Sequence, residues 1–146
     1  MSQHTCIVFE NRKKLAEALH LNKCESIDLS YNKIGIGGAR TVADSLRFND
    51  STTFIDLSSN RIGKEGAKAI AEALSVNNSL TSIDLSWNQI GSEGVKEIAN
   101  ALCVNKSLKS IGLYWNQIGD DGARVLAEAL QGNHSLTFID LKCFLM

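Results

Sequence analysis

Residues 80–107 read LTSIDLSWNQIGSEGVKEIANALCVNKS, and shifting that stretch by 28 positions either way lands on a near copy of it. The copies are TTFIDLSSNRIGKEGAKAIAEALSVNNS at 52–79 and LKSIGLYWNQIGDDGARVLAEALQGNHS at 108–135. A further copy, CESIDLSYNKIGIGGARTVADSLRFNDS, fills 24–51, and LTFIDLKCFLM at 136–146 begins another that is cut short. A unit this small cannot bury its own apolar face, so it must stack on its neighbours. A fixed period of this length therefore specifies a solenoid. Residues 1–23 fall out of register and are expected to form a degenerate unit that covers the open end of the first repeat.

Each unit reads as one strand and one helix. In 80–107 the alternation Ile83-Asp84-Leu85 gives a short strand, with Leu80, Ile83, Leu85 and Ile90 pointing inward. An asparagine follows at the same place each time: Asn32, Asn60, Asn88 and Asn116. An amide both donates and accepts, so a stack of them is expected to form a ladder that satisfies backbone groups where the strand bends away. Gly35, Gly63, Gly91 and Gly119 end the loop, where a residue without Cβ lets the chain turn sharply. Val95, Ile98, Ala99 and Leu102 then recur at helical spacing, as do Ala39/Val42/Ala43/Leu46, Ala67/Ile70/Ala71/Leu74 and Ala123/Leu126/Ala127/Leu130. Ser92 and Asp120 are the expected N-caps, with Glu65, Glu93 and Asp121 in the first turn; Ile36-Gly37 gives the first helix a weaker start. Strands stack at roughly 4.8 Å and helices at roughly 10 Å, so the predicted α/β fold is an arc, with its parallel sheet concave and its helices convex.

The motif LTSIDLSWNQIGSEGVKEIANAL and its three full copies resemble the ribonuclease-inhibitor type of leucine-rich repeat. Specifically, they resemble the uniform 28-residue units of NOD-like receptor arrays and Ran GTPase-activating proteins, over 24–135 and the partial strand at 136–141. That resemblance implies a horseshoe arc that binds a protein partner through its concave sheet face and adjoining loops. It also implies two alternatives: a regulator of a small GTPase like the Ran GTPase-activating proteins, or a piece of a larger NOD-like-receptor-type array. Nothing in the chain resembles the nucleotide-binding or CARD-like domains that accompany such arrays.

Charge and motifs narrow the function classes. Lys and Arg total 15 against 16 Asp and Glu, a net charge of −1, so no global field points to nucleic acid or an anionic membrane. HExxH, GxSxG and P-loop patterns are absent and His4, His20 and His134 stand in unrelated places, so no catalysis, metal or cofactor is expected. Cys6, Cys24, Cys103 and Cys143 show no CxxC spacing and read as free thiols, which with the lack of a signal-peptide run sets the expectation of a reducing, cytoplasmic compartment. Asn49, Asn77, Asn105 and Asn133 each open an N-x-S sequon, read as a by-product of the repeat that is chemically silent without secretion.

Candidate binding residues are those that the core pattern does not explain. Asp28, Asp56 and Asp84 form an outward column, interrupted by Gly112 and resumed at Asp140. Stacked carboxylates suit a Lys- or Arg-bearing partner; the alternative is that they bond to the hydroxyls of Ser30, Ser58 and Ser86. Tyr31, Trp87, Tyr114 and Trp115, the chain's whole complement of Tyr and Trp, map to the rim where strand meets loop rather than to inward positions. Exposed Trp and Tyr are common interface anchors, and Gly112 is expected to leave a notch beside them. Equally, Trp87 and Trp115 can stack on each other across a repeat junction. On the outer face Arg40, Lys68, Lys96 and Arg124 have Asp44, Glu72, Asn100 and Glu128 four residues later, which predicts a solvated, near-neutral surface. The C-terminal CFLM fits a C-a-a-X prenylation pattern at Cys143; the competing reading has it fold over an open strand edge that otherwise invites self-association.

Overall fold

The computed structural model describes residues 5–7 and 24–142. Strand β1 is Thr5–Ile7, and four strand–helix units follow. They are β2 Ser26–Asp28 with α1 Gly35–Leu46, β3 Phe54–Asp56 with α2 Gly63–Leu74, β4 Ser82–Asp84 with α3 Gly91–Val104, and β5 Ser110–Gly112 with α4 Gly119–Gly132. Strand β6, Phe138–Asp140, is the last of the described elements. The six strands form one parallel sheet in sequence order, and each helix packs on the next. Equivalent residues pair directly, Ile27 with Ile55, Ile55 with Ile83, Ile83 with Ile111 and Ile111 with Ile139. β1 extends the sheet beyond β2; the rest of 1–23, on which the expected capping unit depends, lies outside the described residues.

Inward strand residues and one face of each helix make a single continuous core. The predicted helical faces of α1, α2 and α3 are buried throughout. In α4 only Leu126 of the expected four is fully buried, while Ala123 and Ala127 are exposed. Among the described residues no further helix packs beyond α4, so its far side meets solvent. Phe138 on β6 is 59% exposed for the same reason.

The asparagine ladder is present, and Asn60, Asn88 and Asn116 each do five jobs. Asn88 Nδ2 donates to the carbonyls of Leu57, Leu85 and Ser86 at 2.8, 2.9 and 3.1 Å, and its Oδ1 accepts from the N–H groups of Asn60 and Ile62 at 2.9 and 3.3 Å. Asn60 and Asn116 repeat this pattern, and Asn60 Oδ1 takes the Asn32 N–H at 2.9 Å. Asn60, Asn88 and Asn116 are fully buried. A fully satisfied amide in that position closes the loop with no orphaned backbone group.

A second ladder, unread in the sequence, runs at the other end of the units, where helix passes to strand. Asn77 Nδ2 donates to Leu46 O at 2.8 Å and Asn49 O at 3.0 Å, and its Oδ1 accepts from Ser79 N–H and Leu80 N–H at 3.1 and 2.8 Å. Asn105 and Asn133 do the same one and two units on. These are the sequon asparagines, and at Asn77 and Asn105 the side chain is buried with both functions of its amide used.

Two further expectations are corrected. Ser92 and Asp120 are not N-caps: Ile90 and Ile118 hold that position without side-chain bonds. In α1, α2 and α3 the first free N–H is taken instead by the next unit's asparagine carbonyl, Gly35 to Asn60 O at 2.9 Å, Gly63 to Asn88 O at 2.9 Å and Gly91 to Asn116 O at 2.8 Å. α1 consequently starts at the same register as the others. Cys24, read as a free thiol, is buried and disulfide-bonded, since partners in a stack are set by proximity in space and not by sequence spacing. Cys103 is free and exposed, and the Cys6 and Cys143 side chains lie outside the described residues.

Candidate functional site

Between each strand and helix the chain turns through an unusual loop. Tyr31, Ser59, Trp87 and Trp115 have φ of 59, 58, 59 and 53°, and two residues later Lys33, Arg61, Gln89 and Gln117 have φ of 51, 57, 57 and 56°. The left-handed region disfavours any residue with a Cβ, by roughly 1–2 kcal/mol each. Bonds between units hold it: Tyr31 N–H to Ser58 O at 3.0 Å, Ser59 N–H to Ser86 O at 2.9 Å, Trp87 N–H to Tyr114 O at 2.8 Å. Asparagine or glycine would adopt this conformation at lower cost. Two tryptophans there are a costly choice that the fold does not require.

The three aromatics of the last two full units form one cluster. Trp87 and Trp115 stack with centroids 4.7 Å apart and planes 11° apart. Tyr114 meets both edge-on, at 5.6 Å from Trp87 and 6.0 Å from Trp115. Trp87 is 48% and Trp115 37% exposed, so the stack both covers a junction and presents its outer faces to solvent. Tyr31, two units away, stands alone and 78% exposed.

The aspartate column is engaged in its own turns. Asp28 Oδ1 accepts from Ser30 N–H at 2.9 Å and Ser30 Oγ at 2.7 Å, while Asp56 and Asp84 accept the N–H of Ser58 and Ser86 at 2.8 Å each. The notch expected at Gly112 is filled: a Cβ there would stand 2.6 Å from Asp84 Oδ1 and 3.1 Å from Ser86 Oγ. Glycine gives the neighbouring carboxylate room to lean over the strand. That carboxylate belongs to the same unit as Trp87 and takes up the space that Gly112 leaves.

On the convex face the predicted partners four residues on are replaced by others. Lys96 bonds back to Glu93 at 2.6 Å and Arg124 to Asp121 at 3.1 Å, and Glu72 bonds to Arg47 of the preceding unit at 3.1 Å. Lys96 beside it holds the Glu93 carboxyl below its ordinary range, and Glu93 in turn raises the Lys96 ammonium. A groove of about 450 Å³ runs between α1 and α2, lined by Arg40, Asp44, Arg47, Lys68 and Glu72 among others, with charges of both signs. At the opposite rim Phe48, Val76 and Val104 make an exposed apolar row that sequence reasoning missed; its signal was apolar residues recurring at the repeat spacing outside any inward position.

Among the described residues no group of His, Cys, Asp and Glu is arranged to hold a metal, and no helix is long and apolar enough to cross a membrane. Cys143 lies outside them.

A leucine-rich-repeat family model matches residues 53–71, 76–99 and 104–127. No curated protein matches the sequence. Among solved structures the fold is similar to that of leiomodin-1 actin-binding site 2, with a TM-score of 0.86 and 22% identity over 94% of this chain and 83% of that one. It is also similar to the tropomodulin C-terminal domain of Caenorhabditis elegans, with a TM-score of 0.80 and 14% identity over 94% of this chain and 86% of that one. Repeat motif, strand register and solved neighbours agree that this chain is built as an α/β leucine-rich-repeat solenoid.

Proposed function

We propose that the chain is a non-catalytic protein-binding module of the ribonuclease-inhibitor type, which engages its partner through the rim carrying Trp87, Tyr114 and Trp115. The observation that carries this reading is the pair of exposed, stacked indoles at left-handed backbone positions. A local conformation that opposes folding, occupied by large side chains facing solvent, is where a chain holds residues for a purpose other than its own stability. Rigid aromatics of this kind lose little entropy on contact and serve as interface anchors. The repeat spacing and the strand-to-loop asparagine support the ribonuclease-inhibitor assignment.

The first partner to test is actin, because the leiomodin-1 region that shares this fold is an actin-binding site. The GTPase-regulator alternative draws no support from either neighbour.

Cosedimentation with filamentous actin is the direct experiment, using the full chain and the double variant Trp87→Asn, Trp115→Asn. Asparagine tolerates the left-handed backbone, so the variant removes the indoles while keeping the loop. The wild-type chain is expected in the pellet and the variant in the supernatant. If neither pellets, filamentous actin is not the partner; if both pellet equally, the aromatic rim is not the binding face.

A further inference from the structure

The loops that carry the aromatics also carry a second exposed column, Lys33, Arg61, Gln89 and Gln117, each at a positive φ two residues past the first. That column changes character along the arc. It is cationic in the first two full units and an uncharged amide in the last two, where the tryptophans stand. Neither Lys33 nor Arg61 makes an ion pair among the described residues. Nearby Lys64 has only a loose contact to Glu65, at 3.8 Å. The strand carboxylates of the same two units do not turn to them, since Asp28 and Asp56 accept from Ser30 and Ser58 in their own turns. Two exposed cations in adjacent loops, which the Gly35 N–H to Asn60 O bond holds side by side, repel each other, and a carboxylate placed between them relieves both.

We infer that the rim reads a partner segment with a graded composition: acidic residues over Lys33 and Arg61, then a large apolar side chain on the Trp87–Trp115 stack. This rests on the aromatic rim being the binding face, and adds to it the chemistry and layout of what binds there. The centre of the cationic pair and the centre of the indole pair are two units apart along the rim, where the indoles of adjacent units stand 4.7 Å apart, so they are separated by about 10 Å. An extended peptide covers that distance in about three residues. The segment recognised therefore carries Asp or Glu about three or four positions from a Trp, Phe or Leu. Charge placed at the edge of an apolar anchor chiefly orients the encounter and excludes wrong partners, so a basic segment is repelled from the same surface.

The test needs no knowledge of the natural partner. Random dodecapeptides displayed on phage are selected against the full chain, and the enriched peptides are titrated by fluorescence anisotropy. Enrichment of Asp or Glu at that spacing from an apolar residue is expected. Lys33→Glu with Arg61→Glu should weaken those peptides by about ten-fold at low salt and admit their Lys-substituted versions, without changing thermal melting of the free chain. The inference is overturned by a selection that enriches nothing, by enriched peptides that lack acids, or by a charge-reversed variant that binds as tightly as wild type. Failure of the rim itself looks different: the Trp87→Asn, Trp115→Asn variant would then bind the enriched peptides as well as the wild-type chain does.

Discussion

At Asn88 a single buried side chain satisfies three carbonyls and two N–H groups. Replacing it by Leu leaves those groups facing an apolar surface and is expected to cost about 3 kcal/mol, readable as a lower urea midpoint. Asn105→Gln should be comparably harmful although the chemistry is kept, because the longer side chain cannot place both atoms on Leu74 O, at 2.8 Å, and Leu108 N–H, also at 2.8 Å. The two ladders were unequally legible. Asn32, Asn60, Asn88 and Asn116 stand just past a strand, where an amide has an evident structural task. Asn49, Asn77, Asn105 and Asn133 satisfy a glycosylation motif by accident of the serine two residues on, and that serine's N–H is itself one of the ladder's bonds, Ser107 to Asn105 Oδ1 at 3.1 Å. A glycan at Asn77 or Asn105 is incompatible with the folded unit, whatever the compartment. The disulfide at Cys24 likewise removes one of the two sequence arguments for a reducing setting.

At the scale of the element, the helix starts show why cap signals misled. A hydroxyl or carboxylate at the cap position is needed only when no other acceptor arrives, and here the next unit brings a backbone carbonyl. Ser92→Ala is therefore expected to leave the melting temperature nearly unchanged. Gly94→Ala should not: its Cβ would fall 2.5 Å from Ile90 Cγ2, 3.1 Å from Ala67 Cβ and 3.2 Å from the backbone of Lys64. Ile90 is β-branched and held by the core, so α2 and α3 must part, at about 1–3 kcal/mol. The Glu93–Lys96 pair in α3 has a definite pH sign. Because the Glu93 carboxyl is depressed, its contribution is present at neutral pH and is lost as pH falls through the acid range; because Lys96 is raised, the other half is lost only in strong base. Both groups are solvent-exposed and screened, so Lys96→Met is expected to flatten the acid limb slightly without altering helicity. The aromatic rim was half legible. That Trp87 and Trp115 avoid the core follows from their place in the period, but the left-handed backbone and the Asp84 carboxylate over Gly112 depend on contacts between units that no single unit encodes.

For the whole molecule, stability is a sum of neighbour interfaces, and the interfaces are not equal. α2 and α3 are covered on both sides, whereas α4 exposes Ala123 and Ala127, and β6 exposes Phe138. Amide hydrogen exchange should therefore be slowest in β3, β4, α2 and α3 and fastest in α4, with the Trp87–Trp115 stack bridging the protected and the labile parts. The asparagine ladders also have a polarity. In the first, the Asn60 and Ile62 N–H groups wait for Asn88, and those of Asn88 and Ile90 wait for Asn116, always a residue that comes later in the chain. On a ribosome, which delivers the chain from its N-terminus, no unit can be finished when its own last residue emerges. Folding must trail synthesis by a full unit, and a translational pause inside one repeat would leave the repeat before it waiting for the side chain that completes it.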